Sequence, residues 1–147
     1  MDFSEIAVRL FTDTPDGVLF SDTEGKISAW NRGCERIFGF STEDALGQSL
    51  DIIIPEPLRA RHWTGFHETM RTGVTKYADG ELLSVPAMRK DGRRISVEFS
   101  ILPFRDSDGA MIGMAAIMRD VTARFEELKA LRKQMAANEA GQKAQRA

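Results

Sequence analysis

The chain has a single cysteine, a single tyrosine and two histidines among its 147 residues. One cysteine excludes an internal disulfide and fits a reducing cytosol, so a cytoplasmic location is expected. Two histidines mean that any imidazole chemistry runs through His62 or His67. No stretch approaches the roughly 18 apolar residues of a membrane helix, so no membrane partner is expected. Met1–Leu10 carries Asp2, Glu5 and Arg9 among its apolar residues, which is not the pattern of a signal peptide. A net charge of −2 leaves no footprint for nucleic acid. Gly-rich phosphate loops, nucleophile elbows and paired-carboxylate sites are missing too, so no catalysis is expected. With 42% hydrophobic and 29% charged residues the composition is globular. The length suits one domain plus a tail and is too short for a two-domain enzyme.

Phe3, Ile6, Ala7, Leu10 and Phe11 recur at helical spacing and predict a short amphipathic helix. Thr14-Pro15-Asp16-Gly17 then breaks the chain. Val18–Ser21 and Lys26–Trp30 flank Asp22-Thr23-Glu24-Gly25 and read as a β-hairpin. Asn31 is placed to cap a helix whose Cys34, Ile37 and Phe38 share one face. Ser41 with Asp44 resembles a capping box, and Gly47 suits a helix stop. After the run Ile52–Pro55, a longer helix is predicted from Leu58 to Arg71, with Pro57 at its first position and Gly73 beyond its end. Three strands follow, over Glu81–Met88, Arg94–Phe104 and Met111–Asp120, joined by turns at Lys90–Arg93 and Asp106–Gly109. In the second of them Ile95, Val97, Phe99 and Ile101 alternate with Ser96, Glu98 and Ser100, giving one buried and one wet face. From Thr122 the pattern is helical again. Val121, Phe125, Leu128, Leu131 and Met135 form a coiled-coil-like stripe, and a frayed end is expected beyond Asn138.

Several segments together resemble the PAS sensor domains. Pro15-Asp16-Gly17-Val18 with Asp22–Ile27 resembles the family's opening hairpin. Trp30-Asn31-Arg32-Gly33 through Ile37-Phe38-Gly39-Phe40 resembles its Trp-Asn segment, with Gly33 where alanine is usual. Arg89-Lys90-Asp91-Gly92 and Arg119-Asp120-Val121-Thr122 resemble its hairpin and its domain-end motif. The resemblance implies an α+β fold, with a five-stranded antiparallel sheet, helices on one face and flanking helices at both termini. The expected organisation is an N-terminal helix over 1–12, a sensor domain over 13–122 and a helical tail over 123–147. The chain is then either a single-domain protein that signals through a partner or a piece of a longer receptor.

Ile54-Pro55-Glu56-Pro57-Leu58-Arg59-Ala60-Arg61-His62 further resembles the heme-binding PAS domains of oxygen-sensing histidine kinases. That resemblance implies b-type heme with His62 as the proximal iron ligand. His62 shares a helical stripe with Leu58, Phe66 and Met70, and Gly65, one turn away, would leave room for a flat cofactor or a strand. A core histidine satisfied by protein partners is the plainer reading of the same residue. His67 lies about 140° around the helix and is expected at the rim. Where the oxygen-sensing relatives carry a distal arginine, counting back from Asp91-Gly92 gives Leu83 and counting on from His62 gives Leu82. Phe99 and Ile101 fall at the family's apolar distal positions, with Tyr77 or Ala78 near the third. An apolar distal wall disfavours oxygen relative to CO or NO and leaves redox sensing open. Tyr77 is a candidate donor, Met88 and Met114 are candidate sixth ligands, and Lys76 and Arg71 are candidate propionate partners. Cys34 sits on an apolar helix face and lacks the flavin-adduct motif of light-sensing relatives, so a buried structural thiol is expected.

The expected cofactor site is therefore Leu58, His62, Phe66, Met70, Tyr77, Leu82, Leu83, Phe99 and Ile101, with His62 on the metal and no catalytic residue. The function expected is a heme-binding sensor of a diatomic gas (O2, CO or NO) or of redox state. It would act as a homodimer through its flanking helices and pass its signal to a downstream partner. The alternatives are a cofactor-free dimerisation module and a flavin or small-molecule sensor.

Overall fold

The computed structural model describes residues 1–78 and 80–146. The first helix, α1, spans Phe3–Asp13 and starts on a reciprocal capping box. Asp2 accepts from the Glu5 N–H, and Glu5 accepts from the Asp2 N–H. None of its residues is buried, and Phe3 is 83% exposed. Strands β1 (Gly17–Ser21) and β2 (Ile27–Trp30) form the opening hairpin. Helices α2 (Arg32–Phe38) and α3 (Thr42–Ala45) and a 3-10 turn at Leu50–Ile53 follow. Helix α4 runs over Glu56–Thr72, then β3 (Leu83–Met88), β4 (Arg94–Arg105), β5 (Met111–Asp120) and α5 (Thr122–Arg146).

The five strands form one antiparallel sheet in the order β2-β1-β5-β4-β3. Period two decides what each face meets. Leu19, Val97 and Met118 point inward onto Cys34 and Phe38 of α2, making the core. On the other face, Leu102, Phe104 and Ile117 are exposed, so that face is less wet than the alternation of β4 suggested.

Asn31 ties the segments around α2 together. Its carbonyl oxygen accepts from the Val18 and Cys34 N–H groups, and its amide donates to Phe11 O and Asp16 O. All four of its hydrogen-bonding positions are thus used, one of them on the last turn of α1. Gly33 explains its own departure from alanine, because a Cβ there would stand 1.9 Å from the Asp16 carbonyl oxygen. Asp16 in turn takes both Arg119 Nε and a terminal nitrogen at 3.1 and 3.2 Å, joining the entry to β1 with the exit from β5.

Two boundaries differ from the sequence reading. α4 begins at Glu56, with Pro55 as N-cap and Pro57 inside the first turn, where a missing N–H costs nothing. It ends at Thr72, with Gly73 left-handed at φ 72°. α5 does not fray beyond Asn138 but stays helical through Arg146. Ala136, Ala137, Ala140 and Ala144, with Gln and Lys between them, are strong helix formers, which offsets Gly141.

Candidate functional site

An apolar cavity of about 140 Å³ lies between α4, the 3-10 turn, α2 and the inner face of the sheet. His62 and Phe66 reach it from α4, and Phe99 and Ile101 from β4. The side chains that line it are aliphatic or aromatic, with the thioethers of Met114 and Met118 and two polar exceptions, His62 and Ser21. α4 packs on β5, so the helix wall and the sheet wall face one another. Phe66 is the helix's one buried residue.

Polar bonds hold α4 near its ends. Arg59 donates to Ile54 O and Asp51 O, and Arg105 donates to Gly73 O. Between them Trp63 Nε1 donates to Asp51 Oδ1 at 2.7 Å. Its ring lies over Gly25, where a Cβ would come within 2.2 Å. Trp63 also meets His62 edge-on at 4.7 Å and stacks on His67 at 5.6 Å.

His62 Nδ1 is buried and has no hydrogen-bond partner among the described residues. Burial holds the imidazole below the usual histidine value of 6.5. The Asp51 carboxylate pulls it part of the way back, and neighbouring His67 pushes it further down. His62 thus brings to the wall of the apolar cavity a ring with one buried, unpaired nitrogen, held toward its neutral form. These residues fit a heme, which needs one neutral imidazole and a dry, apolar slot. The space does not yet: small-molecule sites span about 300–1,000 Å³.

The expected site is only partly brought together. His62, Phe66, Phe99 and Ile101 line the cavity. Leu58, Met70, Tyr77, Leu82 and Leu83 are not among its lining residues. Leu82 is 64% exposed ahead of β3, and Leu83 begins the strand opposite Phe99. The β3 wall is instead made by Val85, Pro86 and Ala87, since β3 starts two residues later than expected. Met70 packs at the edge of the core. Met114 lines the cavity and Met88 does not. Arg71 pairs with Glu68 at 2.8 Å, and Lys76 lies 5.2 Å over the Tyr77 ring. A Cβ at Gly65 would meet nothing within 4 Å, so the close approach expected there is not made. His67 is exposed. Cys34 is fully buried, and burial pushes its thiol up to about 12, which makes it inert at neutral pH.

Residues 15–123 match the family model for the PAS domain. The chain belongs to the PAS domain family. PAS domains are in general sensory and signalling modules rather than catalytic ones. Sensor protein FixL of Bradyrhizobium diazoefficiens is 31% identical over 121 residues, which are 78% of this chain and 23% of that protein. The chain spans about a fifth of the length of the curated relatives it matches. Among solved structures, the PAS domain of a Colwellia psychrerythraea protein aligns with a TM-score of 0.72 at 22% identity, over 83% of this chain and 99% of that one. An RNA-binding light-oxygen-voltage receptor aligns at 0.71 and 20% identity, over 95% of this chain and 38% of that one. At these identities both show the fold alone. No helix among the described residues is long and apolar enough to cross a membrane.

Proposed function

We propose that this PAS domain is a heme-binding sensor of a diatomic gas or of redox state, with His62 as proximal ligand. The observation that carries the reading is the buried, unpartnered His62 nitrogen on the wall of an apolar cavity. The similarity to FixL and the resemblance of Ile54–His62 to heme-binding PAS domains support it. Heme, when bound, supplies an iron that takes a gas or changes oxidation state. The chain's own part is to hold a neutral imidazole on α4, to keep water out with Phe66, Phe99 and Ile101, and to let α4 move. α4 suits that movement because it buries only Phe66 among its 17 residues.

Ligand-dependent contacts on the inner sheet face then reach β5 and the helix that follows it. A two-state relay of this kind requires contacts that differ between the states. The apolar stripe of α5, with Phe125, Leu128, Leu131 and Met135 exposed, is proposed to pair with a second copy and report the change.

The volume of 140 Å³ favours a second reading, a cofactor-free dimerisation module. The test is reconstitution with hemin, followed by absorption. One heme per chain with a sharp Soret band, lost in His62→Ala and kept in His67→Ala, is expected. No stoichiometric chromophore would overturn the heme reading in favour of the second. A band unchanged in His62→Ala would overturn the ligand assignment.

A further inference from the structure

Helix α4 is held unevenly along its length. Its first half is tied to the 3-10 turn. Arg59 Nε donates to Ile54 O at 3.0 Å and a terminal nitrogen donates to Asp51 O at 3.2 Å, while Trp63 Nε1 donates to Asp51 Oδ1 at 2.7 Å. Beyond Gly65 the pattern changes. Among the described residues, the side-chain hydrogen bonds of residues 66–72 stay within α4 and the two residues after it. Phe66 is buried and Met70 packs at the edge of the core, but His67, Glu68, Arg71 and Thr72 are exposed. The polar tie at this end comes from the sheet, where Arg105 donates to Gly73 O. Arg105 closes β4, and the β4–β5 register steps between Phe104 and Arg105, an irregularity of the kind that re-aims a side chain. Its guanidinium lies against Gly73, where a Cβ would come within 2.5 Å of it. A cation is favourable there, at the negative end of the helix.

Gly65 stands between the two halves. Glycine weakens a helix interior relative to alanine, yet a Cβ at Gly65 would meet nothing within 4 Å. Packing therefore gives no reason for glycine at this position. The Gly65 carbonyl also accepts from Thr69 Oγ1 at 3.0 Å, a back-bond of the kind that bends helices. This weak point falls between Trp63, the last anchored residue, and Phe66. The α4 residues on the cavity wall are His62 and Phe66, one on each side of it.

We propose that residues 66–72 form a flap over the cavity, hinged at Gly65 and latched by Arg105 on Gly73. Opening carries Phe66 off the cavity wall and leaves His62 and Trp63 in place, so the apolar space is entered from the C-terminal end of α4. The flap belongs to the chain without cofactor and does not rest on the heme reading.

The test is residue-by-residue amide hydrogen exchange on the full chain without heme, read as protection. In an α-helix each N–H bonds to the carbonyl four residues back, so the amides of residues 66–69 bond to residues 62–65, at or across the hinge. Swinging at Gly65 breaks those bonds, whereas ordinary fraying exposes residues 70–73 first. Arg105→Met keeps the apolar stem and removes the latch. It should lower protection of residues 66–69 by roughly two- to twelvefold, the loss of one hydrogen bond, and leave residues 60–64 unchanged. Gly65→Ala should raise protection of the same amides by roughly two- to fivefold. Because alanine favours the helix, this variant keeps the proposal testable if Arg105→Met does not fold. Lost protection confined to residues 70–73 in Arg105→Met, or running back through residues 60–64, would overturn the flap. So would protection of residues 66–69 that is unchanged or lower in Gly65→Ala. None of these outcomes bears on the Soret band, so the flap and the heme reading stand or fall separately.

Discussion

Replacing His62 with leucine should make the apo protein more stable, and adding hemin should reverse the order. The wild type keeps His62 Nδ1 buried with no partner. A buried polar atom left unpaired costs about 1–3 kcal/mol. Leucine removes that atom, has comparable bulk, and extends the apolar contact with Phe66, whose ring lies 5.8 Å from that of His62. His62→Leu is therefore expected to gain about 1–3 kcal/mol. For a domain of this size that is a rise of about 3–9 °C in Tm. Thermal unfolding by circular dichroism, with both proteins in the same buffer, measures it. Hemin bound to the native state at about a thousand times its dissociation constant adds about 4.1 kcal/mol to the wild type and little to the variant. The wild type then unfolds at the higher temperature. A leucine variant less stable than the wild type without hemin would refute the reasoning, because the imidazole would then be making a bond that supports the fold. A leucine variant stabilised by hemin as much as the wild type would refute the ligand role.

Acid should widen the apo difference. The folded-state value of His62 lies below its unfolded value of 6.5, so below that pH the unfolded chain takes up the proton first. Wild-type stability then falls with pH from 6.5 down to the folded value, by at most about 1.4 kcal/mol per pH unit, and His62→Leu lacks this slope. A gap that stays constant between about pH 7.5 and 5.5 would show that His62 titrates alike in both states. Asn31→Ala should lose about 2–4 kcal/mol in urea unfolding, since it strips partners from Val18 N, Cys34 N, Phe11 O and Asp16 O. The same variant should speed amide exchange in α1, whose last turn Asn31 holds; unchanged exchange there would contradict that role. For the proposed dimer, Leu128→Glu with Leu131→Glu places charge on the exposed stripe of α5 and should halve the mass seen by sedimentation. An unchanged mass would place the interface elsewhere.

The sheet was legible because its signals are local. Ile95, Val97, Phe99 and Ile101 alternate along β4, and Asp106 with Gly109 makes the next turn: Asp106 Oδ1 accepts from the N–H groups of Asp108 and Ala110 at 2.9 Å. The end of α4 was legible for the same reason, since Gly73 is a left-handed cap with its own residue type. Which residues of β3 face the cavity was not legible. That depends on where the chain re-enters the sheet after α4, and the intervening segment, with exposed Val74 and Leu82, carries no periodicity that fixes the count. Counting from either side stopped at Leu82 or Leu83, whereas pairing of Leu83 with Phe99 sets Val85 and Ala87 inward on the cavity.

The position of Ser21 was legible and its surroundings were not. The sequence puts it at the end of the first strand, beside the polar turn Asp22-Thr23-Glu24-Gly25. The period-two alternation of β1 then puts it on the face of Leu19, inside. What holds it there is non-local: Ser21 is paired with Met114 of β5, ninety-three positions further along the chain. A polar residue is thus buried by long-range pairing and not by any signal in its own segment, whereas Asn31, equally buried, announces itself locally as a helix cap.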